Sequence, residues 1–349
     1  MKLSIINNYL KIKQLKKYYF AIINLFFLKK IKLGIKNPDI VFYLIRSENP
    51  AGGIFSNHNI FLKQIRFAIS KNYIPVIDMQ FEENCIYHEK DQAGVINTWD
   101  LYFSQPFGYT VNEVMQSKNV IISSNRVLNL YNHQLNSLSK EKELKTWSFL
   151  SNKYLKFNRK TQEYLDDIYK TVIPNNRKVL GVSIRDGYSK SRPKWHPIQP
   201  GIDVLIKKVK QEIAEFKYEH VFLSVETQDI IDEFEKEFQR KLIVVDRPRI
   251  GNDLIKTKNN NGLNVELYES GQSGSIEQGK LKDLSLLMDT TVFDRPNDKY
   301  LKGLEYISEM YILSKCDSLV CGETSGTIAV LIRNNNNFNN YYFFNLGLY

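Results

Sequence analysis

The amino-acid sequence predicts an α/β protein made of two Rossmann-like units, each with a parallel sheet. Three observations predict this class: continuous apolar runs of strand length, amphipathic helical stretches between them, and a second start of the same alternation halfway along the chain. The length of 349 residues fits two domains, and a hydrophobic content of 43% excludes a disordered chain. We expect the two sheets to face each other across a cleft.

The first unit begins after a turn at Asn37 and Pro38. Its expected elements are a strand over 40–45, turn-forming residues over 49–53, a helix over 57–70, strands over 74–78 and 119–122, and a charged helical stretch over 137–171. A strand, a helix and a second strand at this spacing predict parallel pairing, with both faces of the strands buried.

The second unit repeats the alternation. Its expected strands cover 179–184, 220–225, 242–245 and 318–321, and its expected helices cover 200–216, 228–240, 301–314 and 325–333. The polar stretch 252–279 and the run of asparagines at 334–337 are predicted to be loops. We therefore divide the chain into a basic segment over 1–37, a first domain over 38–165 and a second domain over 166–349.

The basic segment carries an apolar run over 18–28 between lysine clusters. At about 11 residues the run is shorter than the ~20 that a spanning helix needs. A helix lying on an anionic membrane surface fits it, and so does an ordinary amphipathic helix packed on the first domain. Three cysteines without a CxxC spacing indicate neither a disulfide framework nor zinc, which favours a reducing, cytoplasmic compartment. If the basic segment is an interfacial helix, the protein makes peripheral contact with the inner face of the cytoplasmic membrane.

The net charge of +10 predicts an anionic partner, which leaves nucleic acid, anionic lipid and a phosphate-bearing substrate open. Ligands of parallel α/β sheets bind beyond the carboxyl ends of the strands. Arg185 and Asp186, then Glu226, then the turn over 322–326 occupy three such positions and should converge on one rim. An arginine there binds phosphate, and the turn forms an anion cradle. Each position has an ordinary reading as well, a surface arginine or a helix N-cap, and their joint placement favours a site.

Several short motifs in a fixed order resemble a known family. They are Gly181–Arg185, His196–Pro200, Phe222–Glu226, Glu309–Asp317 and Val320–Ser325. This order resembles the nucleotide-binding half of GDP-fucose-dependent α1,6- and O-fucosyltransferases, and more closely that of bacterial glycosyltransferases of capsule and lipopolysaccharide clusters. The resemblance covers about residues 178–349, while the first half matches only in its layout and in its Gly52–Gly53 loop.

The resemblance implies a GT-B fold and an inverting, metal-independent glycosyl transfer without a cofactor, from a nucleotide sugar to a glycan or a lipid-linked glycan. In the family the arginine after the first strand of the second half grips the diphosphate, a role that falls on Arg185. The donor-binding residues that it implies are Ser183, His196, Glu226, Glu309, Thr324 and Ser325, and the expected acceptor-binding residues are Gly52, Gly53 and Asn57.

The sequence departs from the family at the catalytic base. The usual Arg-(Arg/Gly)-Thr-Asp run reads Arg185-Asp186-Gly187-Tyr188, and the stretch before His196 has no carboxylate. Asp186 is therefore a substitute candidate. This departure keeps a catalytically inactive glycan- or nucleotide-binding protein open as an alternative. A nucleic-acid-binding protein is a second alternative, against which stands the lack of any RRM, helix-turn-helix or zinc pattern.

Overall fold

The computed structural model describes residues 28–46, 52–80, 86–92, 94–124, 138, 140–185, 196–249 and 293–348. The apolar run over 18–28, apart from Leu28, lies outside the described residues, as do Asp186 and the predicted loop over 252–279.

The first sheet contains β1 to β4. Its strands are β1 (Lys30–Ile31), β2 (Phe42–Arg46), β3 (Ile74–Asp78) and β4 (Val120–Ile122), and its helices are α1 (Ile54–Ser70), α2 (Thr98–Tyr102) and α3 (Val111–Met115). The strand order is β1-β4-β2-β3. β2 runs parallel to both β3 and β4, with Leu44 opposite Val76 and Ile122. Buried apolar side chains on both faces explain why the run over 40–45 reads as continuously hydrophobic.

Two helices, α4 (Glu141–Tyr154) and α5 (Arg159–Val172), lead into the second sheet. The second sheet and its helices are β5 (Val179–Ser183), α6 (Ile202–Phe216), β6 (His220–Ser224), α7 (Gln228–Phe238), β7 (Leu242–Ile243), α8 (Asp298–Leu313), β8 (Ser318–Gly322), α9 (Ser325–Asn334) and β9 (Asn340–Phe344). Its order is β7-β6-β5-β8-β9, and all neighbours are parallel.

The order of the second sheet reverses between β5 and β8. The chain builds β5, β6 and β7 outward in one direction and then returns to place β8 and β9 on the other side of β5. At such a reversal the connections leave β5 and β8 on opposite faces, so a crevice opens between the two strand ends. The sequence motifs place Arg185 and the turn over 322–326 at these two ends.

The two halves share one hydrophobic core. The same cluster of buried side chains contains Tyr43 and Ile77 from the first sheet and Leu319 and Ile332 from the second half. Helix α9 packs against both α1 and α4. The contact brings the head of α1 beside the head of α9, where Asn59 Nδ2 donates a hydrogen bond to the carbonyl oxygen of Ser325 at 2.9 Å.

The α/β class and the parallel sheets predicted from the sequence are confirmed. The helical stretch over 137–171 is two helices, because the chain turns at residues 155–158, where Asn158 caps α5 by accepting a hydrogen bond from Thr161 N at 2.9 Å. The predicted boundary after residue 165 falls inside α5. Residues 30–31, which the sequence groups with the basic segment, pair antiparallel with β4 and so belong to the first sheet. Within the described ranges, none of the helices is long and apolar enough to cross a bilayer.

Candidate functional site

Arg185 stands at the carboxyl end of β5, two residues beyond the last strand residue, and its side chain is one-third exposed. Its Nε atom lies 4.0 Å from Glu226 Oε1, at the end of the neighbouring strand β6. The other carboxylate oxygen of Glu226 is buried and has no hydrogen-bond partner within the described residues. The Arg185 cation and the Glu226 carboxylate, one oxygen of which has no hydrogen-bond partner among the described residues, therefore lie side by side at the carboxyl end of the sheet.

Gln199 joins the two strand ends at the reversal. Its Oε1 accepts a hydrogen bond from Arg185 N at 3.2 Å, and its Nε2 donates to the carbonyl oxygen of Glu323 at 3.1 Å. The side chain is 7% exposed and lies directly on Gly322, where a Cβ atom would stand 1.9 Å from Gln199 Oε1. Glycine at 322 thus leaves the space in which the amide links β5 to β8. Gln199 belongs to the sequence motif His196–Pro200, but nothing in that motif indicates this bridge.

The head of α9 faces the same crevice. Thr324 is its N-cap: the Thr324 hydroxyl accepts from Thr327 N at 3.1 Å, and the Thr327 hydroxyl accepts from Thr324 N at 2.9 Å. Thr324 therefore serves the helix, which is its ordinary reading. Ser325 is exposed, and the N–H groups of Ser325 and Gly326 lie in the first turn, where no helical carbonyl is in reach. This turn presents donors and the positive end of the helix dipole to an anion.

Glu309 is held in a buried cluster. The residue is 1% exposed, accepts a hydrogen bond from Ser224 Oγ at 2.8 Å, and pairs with Arg247 through Nε at 2.7 Å and Nη2 at 3.1 Å. Arg249 Nη2 adds a contact at 3.2 Å. Arg247 Nη2 also donates to the carbonyl oxygen of Val225 at 3.0 Å, next to Glu226. Glu309 thus ties helix α8 to the end of β6.

The two arginines of this cluster respond differently to it. Burial alone would lower the pKa of Arg247, but the attraction and hydrogen bonding of Glu309 are stronger than this effect, so the pKa of Arg247 is raised. Burial lowers the pKa of Arg249, and the attraction of Glu309 offsets this only in part. Two cations therefore share the Glu309 carboxylate, while Glu226 acts more weakly on Arg247 and Asp246 acts more weakly on Arg249. Sequence reasoning missed both arginines, since they follow the two-residue strand β7 at no recognisable spacing.

The other predicted donor residues lie nearby. Ser183 ends β5, is buried, and stands opposite Ser224 and Cys321 in the parallel register. His196 is half-buried and begins the segment that carries Gln199. That segment is anchored at the far end of the chain, where Ile198 N donates to the carbonyl oxygen of Gly347 at 2.9 Å.

The predicted acceptor residues form the head of α1. Asn57 is buried and donates through Nδ2 to the carbonyl oxygen of Gly52 at 3.0 Å, while Asn57 N donates to the carbonyl oxygen of Gly53 at 3.1 Å. Asn57 therefore stabilises this turn from its buried side through two hydrogen bonds to the backbone of Gly52 and Gly53. The ring of Phe55 meets Tyr306 of α8 edge-on at 5.3 Å between centroids, which brings this turn towards the second sheet.

Within the ranges that the structure describes, no group of three or more His, Cys, Asp and Glu side chains is placed to hold a metal ion.

Comparison with protein-family models found no match, and neither did comparison with curated proteins. Among solved structures the chain is similar to the fucosyltransferase NodZ from Bradyrhizobium, with 13% identity, a TM-score of 0.44, and coverage of 83% of this chain and 92% of that one. It is also similar to POFUT1 in its apo form, with 9% identity, a TM-score of 0.45, and coverage of 89% and 100%. At these identities the likeness concerns the fold alone.

Proposed function

We propose that the protein is a glycosyltransferase that moves a sugar, fucose-like or other, from a nucleotide-diphosphate donor to a surface glycan or lipid-linked glycan. The observation that supports this most strongly is the convergence at the reversal of the second sheet. There Arg185, the Gln199 bridge and the head of α9 place positive charge and hydrogen-bond donors around one crevice. GDP is the nucleotide that the sequence motifs favour.

The chemistry that these groups supply is stabilisation of a leaving diphosphate. In an inverting transfer the bond between the sugar C1 and the phosphate oxygen breaks while the acceptor oxygen bonds to C1 from the opposite face. Negative charge then grows on the diphosphate, and preorganised donors that meet this charge lower the barrier. Arg185 and the first-turn N–H groups of α9 carry out this task, in place of the divalent cation that metal-dependent enzymes use.

Three other features complete the proposed reaction. Glu226, one of whose carboxylate oxygens has no hydrogen-bond partner in the described part of the chain, accepts from the hydroxyl groups of the donor sugar or ribose, or from its base. The acceptor proton needs a base, for which Asp186 remains the candidate from the sequence. The turn at Gly52 and Gly53 receives the acceptor, because it stands at the head of α1, which the contact between Phe55 and Tyr306 holds against the second half.

We further propose that the enzyme works in the cytoplasm at the inner face of the membrane. The support for this is the sequence of the first 27 residues, which alternates lysine clusters with an apolar run.

Thermal shift measurements with GDP, UDP and dTDP test the binding part of the proposal. A ligand at about 100 times its Kd stabilises the native state by about 2.7 kcal/mol. We expect GDP at one fixed concentration to stabilise Arg185→Ala markedly less than the wild-type protein. The matched control is Arg177→Ala, since Arg177 lies at the amino-terminal end of the same parallel strands, in an exposed ion pair with Glu219.

Release of GDP from GDP-sugars tests the transfer part. GDP binding without any turnover would favour the inactive binding protein instead. Absence of stabilisation by all three nucleotides, together with a salt-dependent shift of labelled RNA, would favour the nucleic-acid alternative.

A further inference from the structure

Tyr306 is a functional group that neither the sequence motifs nor the proposed mechanism uses. It lies in the middle of α8, and its ring is fixed edge-on by Phe55 of α1. Its hydroxyl reaches the first turn of α9 and lies so close to Gly326 that a Cβ atom there would stand 2.3 Å from the hydroxyl oxygen. A glycine at this position of α9 thus makes room for the hydroxyl.

The charges around Tyr306 are those of the candidate site. Burial raises the pKa of Tyr306, the Glu226 carboxylate raises it further, and Arg185 acts in the opposite sense. Glu309 and Arg247 act on it more weakly. The hydroxyl therefore keeps its proton at neutral and mildly alkaline pH, so it is a hydrogen-bond donor there.

Within the described residues, no hydrogen bond is made by the Tyr306 hydroxyl, which lies against Gly326 of α9 and within the electrostatic reach of Glu226 and Arg185. The hydroxyl of Tyr311, five residues later in the same helix, donates to Asp166 at 2.7 Å, as a partly buried hydroxyl ordinarily does. An unused donor between a cation and a helix head is suited to an anionic oxygen.

We propose that Tyr306 is a further donor-binding residue, whose hydroxyl donates a hydrogen bond to a phosphate oxygen held between Arg185 and the first turn of α9. The proposal rests on the proposed function, in that the anion is the diphosphate of a nucleotide. Gly326 is required for this arrangement, because a side chain at position 326 would fill the space that the Tyr306 hydroxyl occupies. The contact of Phe55 with the ring couples the head of α1 to the same position.

Competition binding of GDP and of guanosine to the full-length protein tests this inference. A hydrogen bond to a charged oxygen is worth about tenfold or more in affinity, so Tyr306→Phe should weaken GDP by about that factor and leave guanosine unchanged. The variant keeps the ring and its packing against Phe55. The control is Tyr300→Phe in the same helix, which removes a buried hydroxyl that has no partner within the described residues, and it should bind GDP within about twofold of wild type.

Gly326→Ala gives a second, independent test. Its Cβ atom would lie closest to the Tyr306 hydroxyl and 2.9 Å from the flexible end of Met310. It should therefore weaken GDP in the wild-type background and weaken it less in the Tyr306→Phe background, where the hydroxyl is gone and only the Met310 contact remains to be relieved. Equal weakening of GDP and guanosine by Tyr306→Phe would assign the residue a purely structural role and overturn the inference, as would unchanged GDP affinity. If wild-type protein binds none of GDP, UDP and dTDP, the proposed function itself fails; if it binds UDP or dTDP in place of GDP, the same comparison is made with that nucleotide and its nucleoside.

Discussion

Replacement of Glu309 by glutamine should strongly destabilise the protein. The carboxylate is 1% exposed, and the side chains of its partners Arg247 and Arg249 are 8% and 5% exposed. Glutamine keeps the shape and one acceptor but removes the charge, so two buried guanidinium groups lose their counter-ion. Breaking a buried pair in this way costs about 3–5 kcal/mol. At roughly 2–4 °C per kcal/mol, the melting temperature should fall by about 10 °C.

Urea unfolding followed by circular dichroism measures this loss as a change in the midpoint at constant m-value. The matched control is Glu163→Gln, which breaks an exposed ion pair with Arg159 in α5 and should cost about 0.5 kcal/mol or less. A Glu309→Gln protein within about 1 kcal/mol of wild type would refute the reasoning. It would mean that the two arginines find other partners, and that Glu309 is free to contact a donor directly.

The remaining predictions concern the site and the basic segment. Arg185→Ala should weaken GDP by at least about tenfold in calorimetry while the melting temperature stays within about 2 °C of wild type, because the side chain is partly exposed; a large loss of stability would make it a structural residue. Gln199→Leu should lower the free energy of unfolding in urea by about 2–4 kcal/mol, since it leaves the N–H of Arg185 and the carbonyl of Glu323 without their hydrogen-bond partner. Gly322→Ala should cost a similar amount and add little to Gln199→Leu, and additive losses would argue against the bridge. Deletion of residues 1–27, which spares β1, should move the protein from membranes to the soluble fraction; unchanged sedimentation would contradict the membrane proposal.

The strands β2, β3, β5, β6 and β8 were predictable because nearly all of their residues are buried, so each reads as a largely apolar run. β9 was missed for the complementary reason. It is the edge strand of the second sheet, only Phe344 of its residues is buried, and it follows directly on the asparagine run. Edge strands carry a weaker pattern because one side and much of one face meet solvent.

The candidate site was predictable to the extent that it depends on strand ends. Arg185, Glu226 and the turn at 322–326 follow parallel strands, so topology alone brings them to one edge. The bridge made by Gln199, the arginines around Glu309, and the Tyr306 hydroxyl depend on side-chain contacts between elements far apart in the chain. No local pattern encodes such contacts. A glycine at 322 or 326 is the one trace that they leave in the sequence.

Hydrogen exchange of the full-length protein with and without GDP tests the location of the proposed site most directly. We predict slower amide exchange in GDP at the end of β5 over 183–185 and at the head of α9 over 322–327. Exchange over 174–178, at the amino-terminal end of the same sheet, should be unchanged. Protection confined to that amino-terminal end, or no protection at any GDP concentration, would contradict the central claim that the reversal between β5 and β8 holds the nucleotide.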